Sequence, residues 1–290
     1  MSWPPRWLTH DVEGTSNRAQ LAIDFVDVFG VITKDSVSGR AGSKLILRDW
    51  QRDLIRNIYA TNEDGGYLRR VALAGLPRKN GKSALASHLA VFDLVFGPAG
   101  GETYSVAATR DQARIVFGEA KRIIEFNEDL SKIAKLYRDA VEIPETGSVY
   151  RVLSAEAGAA EGLNSSSVWF DELHAQPNRK MWDVMQLSMA ARGDRSHMVA
   201  ITTSGVRTDS TERDFVCYDL YQYGQKVARQ EVEDESFWMA WWEAPEEMDH
   251  RDPETWRLSN PGFGDLNAVD DFEAAVRRTP EAEFRTKRTN

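Results

Sequence analysis

Short apolar runs alternate with helix-periodic segments along most of this chain. Strictly spaced apolar positions predict helices at 19–29, 48–59, 83–96, 111–127 and 178–191. Compact runs rich in β-branched and aromatic residues predict strands at 70–74, 103–108, 148–153, 167–171 and 198–203. Strands that alternate with helices in this way are typical of an α/β fold with a mainly parallel central sheet flanked by helices.

The two ends of the chain depart from this alternation. Residues 1–14 contain two tryptophans and two prolines and are interpreted as irregular, and 36–43 form a loop rich in glycine and serine. Beyond residue 205 an aromatic run at 236–242 precedes a charged, helix-leaning tail at 253–290. We therefore predict an N-terminal arm and helix at 1–46, a core at 47–235, and a small helical linker or lid subdomain at 236–290.

Composition narrows the class of protein only moderately. The 290 residues are 42% hydrophobic and 28% charged, as in ordinary globular proteins, and no stretch approaches the length of a membrane span. The single cysteine, Cys217, permits no internal disulfide and favours a reducing compartment such as the cytosol. A net charge of −9 argues against a protein coated in basic surface, although a local basic patch could still bind DNA.

The sharpest motif is the segment 77–83, which lies between a predicted strand and a predicted helix and ends in Gly81, Lys82 and Ser83. This is the context of a phosphate-binding loop, where backbone N–H groups and the start of a helix attract an anion. Lys82 would contact the β- and γ-phosphates, and the Ser83 hydroxyl would bind Mg²⁺. The usual first glycine position is Leu76, with Gly75 one residue too early, so a basic surface turn is the alternative.

A pair of acids follows a predicted buried strand at Asp171 and Glu172. In a P-loop enzyme the first acid holds Mg²⁺ and the second orients and activates the attacking water. An unpaired buried charge is costly, so two adjacent acids at such a strand end favour a functional role over a harmless, exposed strand end.

Four segments together resemble the large subunit of tailed-phage terminases, the ATPases that pump DNA into capsids. The resemblance spans about residues 19–290 and is carried by the runs Leu47-Arg48-Asp49-Trp50-Gln51, Arg78-Lys79-Asn80-Gly81-Lys82-Ser83, Phe170-Asp171-Glu172-Leu173-His174 and Thr202-Thr203-Ser204-Gly205. The run Asn260-Pro261-Gly262 resembles the stretch that precedes the nuclease domain of that family.

The resemblance implies a P-loop NTPase fold of the RecA-like (ASCE) type that uses ATP and Mg²⁺. It assigns catalysis to Glu172, Arg78 and Lys82, and metal binding to Ser83 and Asp171. It assigns base contact to Gln51 and Trp50, although a capped helix start would also explain these residues. It assigns the remaining nucleotide contacts to Arg78, Lys79, Asn80, Gly81, Lys82, Ser83 and Ala84. It assigns the coupling motif to Thr202, Thr203 and Ser204, for which ordinary strand-end hydroxyls are the alternative.

The same resemblance implies double-stranded DNA, a terminase small subunit and a portal protein as partners, and a homo-oligomeric ring in the host cytoplasm that docks on the procapsid. Some relatives carry an arginine just before the acidic strand, but 161–166 contains none. Arg192 and Arg195 are candidates for a group that acts on a neighbouring subunit, with a solvated turn as the alternative. Arg110 could equally contact DNA or simply lie at the surface. No nuclease activity is expected, because the sequence stops at Asn290, where that domain should begin.

Two other functions remain open from the sequence. A nucleotide-binding switch or scaffold with little hydrolysis would retain the phosphate loop, although the intact Asp171–Glu172 pair speaks against it. A helicase-like ATPase is the other, but no second half carrying helicase motifs is visible.

Overall fold

A computed structural model of the chain describes residues 3–154, 162–205 and 215–290. Over those ranges the strands form one nine-stranded sheet in the order β1-β9-β2-β8-β7-β3-β6-β5-β4. The strands are β1 Trp7–Leu8, β2 Val71–Gly75, β3 Glu102–Ala107, β4 Lys135–Leu136, β5 Ala140–Ile143, β6 Ser148–Ser154, β7 Ser167–Asp171, β8 His197–Thr202 and β9 Phe237–Trp241. The six inner strands, from β9 to β6 in this order, run parallel.

Helices cover both faces of the sheet, as the alternating pattern predicts. They are α1 Asn17–Phe29, α2 Asp49–Ile58, α3 Lys82–Phe96, α4 Arg110–Glu125, α5 Glu128–Ile133, α6 Lys180–Ser188, α7 Val216–Ala228, α8 Pro253–Ser259, α9 Val269–Arg278 and α10 Glu281–Phe284. One hydrophobic core joins α1 to α5 to one face, and a second joins α6 and α7 to the other. Strands buried on both faces explain why their sequences are continuous apolar runs.

The aromatic run near residue 240 lies in the sheet and not in an appended subdomain. Strand β9 pairs in parallel with β2, in register Gly75 with Trp241, and all five of its residues are buried. A glycine is required at position 75, because a Cβ there would lie 2.0 Å from the Trp241 ring. The predicted boundary at 236 therefore cuts through the sheet.

Three further strands escaped prediction. Strand β1, in the predicted N-terminal arm, pairs antiparallel with β9. Strands β4 and β5 extend the other edge antiparallel to β6. All three are short, and β1 and β4 have two residues each, which is too few for a period-two pattern to stand out in the sequence.

The residues after β9 build a small aromatic core of their own. Trp256, Phe272 and Phe284 are buried together, and Phe263 packs on them. This cluster belongs to helices α8 to α10, which follow the last strand of the sheet in the chain. None of the helices among the described residues is both long and apolar enough to cross a lipid bilayer.

Candidate nucleotide site

The predicted motifs lie at the carboxyl ends of three neighbouring parallel strands. Strand β2 leads into the phosphate loop, β7 ends at Asp171, and β8, which lies between them, ends at Thr202. Ligands of open parallel sheets bind at this edge, where loops follow the strands. The topology thus brings residues that are about 90 positions apart in the sequence to one place.

The phosphate loop ends in a left-handed turn directly before α3. Lys79 and Gly81 have φ values of 72° and 73°, and Gly81 caps the helix. Left-handed conformation is easy for glycine, so Gly81 permits the turn that aims the first N–H groups of α3 at the cavity. Lys82 is buried, and its Nζ donates to the carbonyls of Leu76 and Pro77 at 3.0 and 3.1 Å.

Ser83 and Asp171 face each other across the site. The Ser83 hydroxyl lies 3.1 and 2.9 Å from the two carboxylate oxygens of Asp171. Hydroxyl and carboxylate oxygens are ligands that suit Mg²⁺, which usually takes one or two side chains together with substrate phosphates. Burial raises the pKa of Asp171 to about 6, and the neighbouring Glu172 charge adds to this increase.

Glu172 points its carboxylate toward the phosphate loop. Its backbone is left-handed, with φ 51°, and its Oε1 lies 4.0 Å from the Nζ of Lys82. Burial alone would raise its pKa, but the hydrogen bond with His174 and the charge of Lys82 prevail and lower it to about 2. The carboxylate is therefore ionised at neutral pH, and Lys82, Asp171 and Glu172 converge on one point.

His174 is a member of this site that the sequence interpretation left without a role. Its Nδ1 lies 3.1 Å from Glu172 Oε2 and within 3.2 Å of the hydroxyls of Thr202 and Thr203. Gly205 makes room for the ring, because a Cβ there would lie 2.6 Å from the His174 Cβ. Its position in the run 170–174 was the available signal, but a single sequence does not show that the ring turns back onto the glutamate.

The predicted coupling residues lie at the end of β8 in contact with two parts of the molecule. Thr203 donates from its N–H and hydroxyl to Glu172 Oε2, both at 3.4 Å. Ser204 bonds instead to the C-terminal segment. Its N–H donates to Asn290 Oδ1 at 3.0 Å, and its hydroxyl donates to the Thr286 carbonyl at 3.4 Å. The motif therefore lies between the acidic strand end and the C-terminal segment.

A cavity of about 610 Å³ opens beside the phosphate loop and is large enough for a nucleotide. The predicted residues that line it are Gln51, Arg78, Lys79, Gly81, Lys82, Ser83, Ala84 and Glu172. The loop after α1 closes one side, with Val31 and Ile32, and His88 on α3 fixes that loop by accepting the Val31 N–H at Nε2. His88 is a pocket-wall residue that the sequence interpretation missed.

Two predicted nucleotide-binding residues have side chains that do not face the cavity, and for Trp50, whose predicted role is base contact, this corrects the prediction. Trp50 is 3% exposed, does not line the cavity and packs on Trp242 with ring centroids 5.8 Å apart. Trp50 directly precedes Gln51 in the motif, but its side chain points elsewhere, because consecutive helical residues point about 100° apart. The Asn80 side chain is likewise turned away from the cavity, toward residues 260–267.

The candidate arginines lie in three different places. Arg78 is exposed and lines the cavity. Arg192 and Arg195 precede β8, at the opposite edge of the sheet from the cavity, and Arg192 donates to the carbonyls of Asn164 and Gly100. Of the arginine-free stretch 161–166, residue 161 lies outside the described residues. Arg110 opens α4 at the carboxyl edge of β3.

A strand that runs through a Gly-Lys-Ser loop into a helix, opposite an acidic strand end, defines the class of P-loop NTPases. Within that class, the model of the family "Terminase large subunit, ATPase domain" matches residues 49–226. This is more than half of the chain, and the chain belongs to that family.

Individual relatives agree with this assignment. The large terminase subunit of Enterobacteria phage HK97 is 24% identical over 260 residues, which cover 88% of this chain and 48% of that protein. The large subunit of Lactococcus phage p2 is 24% identical over 211 residues, or 69% of this chain and 37% of that protein. The chain thus spans no more than about half the length of these curated relatives.

Solved structures show the same fold. The crystal structure of the HK97 large terminase superimposes with a TM-score of 0.78 at 22% identity, covering 94% of this chain and 55% of that one. The ATPase domain of the Thermus phage P74-26 large terminase gives a TM-score of 0.50 at 18% identity, covering 76% of this chain and 87% of that one. These likenesses agree with the α/β architecture and its mostly parallel sheet.

Proposed function

We propose that this chain is an ATP-hydrolysing, Mg²⁺-dependent motor domain that translocates double-stranded DNA into a procapsid. The observation that carries the proposal is the convergence of Lys82, Asp171 and Glu172 beside a nucleotide-sized cavity. A cation for the phosphates, oxygen ligands for a metal and an ionised carboxylate for the water are the groups that ATP hydrolysis requires.

Each side chain has a separate task in this proposal. Lys82 exchanges the carbonyls of Leu76 and Pro77 for oxygens of the β- and γ-phosphates. The carboxylate of Glu172 then orients the attacking water and accepts its proton as the bond from water oxygen to the γ-phosphorus forms. The bond between the γ-phosphorus and the β–γ bridging oxygen breaks in the same step, and ADP leaves with that oxygen. Arg78, exposed at the cavity, stabilises the charge that spreads over the transferred phosphoryl group.

Ser83 and Asp171 would hold Mg²⁺, and Lys79, Gly81 and Ala84 would contribute N–H groups or charge to the phosphates. The metal supplies positive charge that neutralises the β- and γ-phosphate oxygens. Gln51 would contact the base: its Oε1 is taken by the Arg48 N–H at 3.0 Å, which leaves the amide NH₂ for the ligand.

Thr202, Thr203 and Ser204 would couple hydrolysis to movement. Thr203 contacts the catalytic carboxylate, and Ser204 contacts the segment after β9, so a shift at Glu172 can pass through these two consecutive residues. His174 would keep Glu172 in place through its ring nitrogen.

The partners proposed for this motor are duplex DNA, a terminase small subunit, a portal protein and further copies of the chain in a ring. Support comes from the names of the relatives, which are large subunits of terminases. The site of action would be the host cytoplasm, at the portal of the procapsid. Because the chain carries a net charge of −9, DNA would contact a local basic surface and not the molecule as a whole.

Turnover measured with and without duplex DNA, over a series of salt concentrations, tests this function. We expect Mg²⁺-dependent ATP hydrolysis that duplex DNA of any sequence stimulates, with stimulation that falls steeply as salt rises because the contacts are to phosphates. Tight nucleotide binding without turnover in either condition would favour the switch or scaffold function instead.

Metal-dependent nucleotide binding should weaken at acidic pH. The pKa of Asp171 is raised to about 6, and a metal binds only the deprotonated carboxylate. Below about pH 6 the metal must displace a proton, so affinity for Mg²⁺-nucleotide should fall by up to about tenfold per pH unit, and above it the dependence should vanish. Titration calorimetry from about pH 5 to pH 8 measures this.

The nucleotide also binds protons, so the Asp171→Asn variant serves as the control. Its residual pH dependence belongs to the nucleotide, and the difference from the unmodified chain belongs to Asp171. Identical pH profiles for the two proteins would show that Asp171 does not take part in metal binding.

A further inference from the structure

The side chain of Asn80 makes all its hydrogen bonds away from the nucleotide cavity. It is fully buried, and its Oδ1 accepts from the Gly262 N–H at 3.0 Å and the Asn267 amide at 3.2 Å. Its Nδ2 donates to the Pro77 carbonyl at 3.1 Å and to Asn260 Oδ1 at 2.8 Å. One residue of the phosphate loop is thus bonded to three residues of the segment 260–267.

The residues that bond to Asn80 are themselves held by the surrounding structure. The Asn260 amide donates to the carbonyls of Trp256 and Arg288 at 2.9 and 2.7 Å, which ties it to α8 and to the residues after α10. Gly262 must be small, since a Cβ there would lie 3.0 Å from Asn80 Oδ1 and 2.9 Å from the Leu266 Cβ.

The segment 260–267 also forms part of the nucleotide cavity. Leu266 lines the cavity and approaches Gly81 of the phosphate loop. The next residue back, Asp265, makes a two-bond ion pair with Arg48, at 2.7 and 2.8 Å, and Arg48 also lines the cavity. The docked segment therefore forms part of one wall of the cavity that a nucleotide would occupy.

We propose that Asn80 is a positioning residue that docks the segment 260–267 on the phosphate loop, so that nucleotide occupancy and docking of this segment stabilise each other. The inference rests on the proposed nucleotide site and adds the residue through which that site controls the C-terminal segment. Asn80 acts here through its side chain, and its role differs from the direct nucleotide contact that the motif suggests.

Thermodynamic linkage gives the proposal its measurable form. If the bound nucleotide favours the docked segment, docking must favour the nucleotide by the same factor. Undocking leaves the buried amide of Asn80 without its partners, which is costly because buried polar groups need hydrogen bonds. Loss of that amide should therefore weaken both nucleotide binding and docking of the segment 260–267.

Hydrogen exchange and nucleotide affinity, measured on the full chain with ADP as the probe, test this. In the unmodified chain ADP should slow exchange of the amides at 262–267, where Asn267 N–H bonds to the Gly262 carbonyl. In Asn80→Ala this protection should be lost, and ADP affinity should fall about tenfold. The turnover rate at saturating ATP should change much less than KM.

Asn267→Ala provides a second variant outside the phosphate loop, in case Asn80→Ala folds poorly. It removes one donor to Asn80 and should lower ADP affinity and protection in the same direction, but less. Combining the two changes should give less than the sum of their separate effects, because both act through one contact. Gln20→Ala, which removes an exposed amide on α1, is the control and should alter neither quantity.

The results separate this inference from the proposed function. An unmodified chain that does not bind ADP contradicts the proposed function itself. An unmodified chain that binds ADP, together with folded Asn80→Ala and Asn267→Ala variants that keep its affinity and its protection pattern, overturns the role of Asn80 and leaves the nucleotide site intact.

Discussion

Replacing Glu172 with Gln should lower ATP turnover by roughly 10²–10⁴-fold while leaving nucleotide affinity almost unchanged. The amide has nearly the shape of the carboxylate, so the contact with Thr203 can persist, but it is neutral and cannot accept a proton from the attacking water. Steady-state turnover, together with binding of a fluorescent ATP analogue, separates the two quantities.

Glu145→Gln is the matched control for this change. Glu145 lies exposed in the turn between β5 and β6 and does not line the cavity, so its replacement should leave turnover as it is. Turnover by Glu172→Gln within a factor of about two of the unmodified chain would remove Glu172 from the catalytic step.

Replacing Lys82 with Ala should reduce turnover by roughly 10²–10³-fold and weaken ATP binding as well. The ammonium group is buried, its pKa is lowered by that burial, and it is already held by two carbonyls at the base of the phosphate loop. It lies at the phosphate loop and exchanges these two carbonyls for phosphate oxygens when the triphosphate binds, so its loss removes both binding and stabilisation of the transition state.

Lys132→Ala is a suitable control, because Lys132 is an exposed lysine on α5 that pairs with Glu128 and Asp129. It changes the net charge equally and should leave both turnover and affinity unaffected. Thermal unfolding of Lys82→Ala should be measured alongside, so that a loss of activity is not mistaken for a loss of fold. A folded Lys82→Ala protein with normal ATP affinity contradicts the assignment.

The strands that carry the site could be predicted because they are buried on both faces. Strand β7 was predicted with its observed bounds, and β2 and β8 within one residue of theirs, since each is a short apolar run between polar loops. Their convergence also follows from sequence, because parallel strands in one sheet present their carboxyl ends at a common edge. The predicted motifs therefore meet at the carboxyl edge of the parallel sheet.

Strand β9 shows where such prediction fails. Its run of aromatic and apolar residues was recognised, but it follows a change in composition and was assigned to the tail. Only the sheet topology shows that it pairs with β2 at the phosphate-loop strand. Strand order is a long-range property, and nothing in the local sequence encodes it.

Side-chain direction was the second obstacle. Trp50 and Asn80 both stand inside nucleotide-binding motifs, yet one packs in the core and the other bonds to the C-terminal segment. Neither partner, Trp242 nor Asn260, lies near in sequence, so no local pattern could predict these contacts. The same holds for His174, whose ring reaches residues about 30 positions further along the chain.

The most direct test of the proposed nucleotide site is a crystal structure of this chain with Mg²⁺ and a non-hydrolysable ATP analogue. We expect Lys82 Nζ in hydrogen-bonding distance of the β- or γ-phosphate oxygens, the metal beside Ser83 and Asp171, and Glu172 facing the γ-phosphate. A triphosphate bound at any other surface, or one that leaves Lys82 on its two carbonyls and Glu172 facing away, would contradict it.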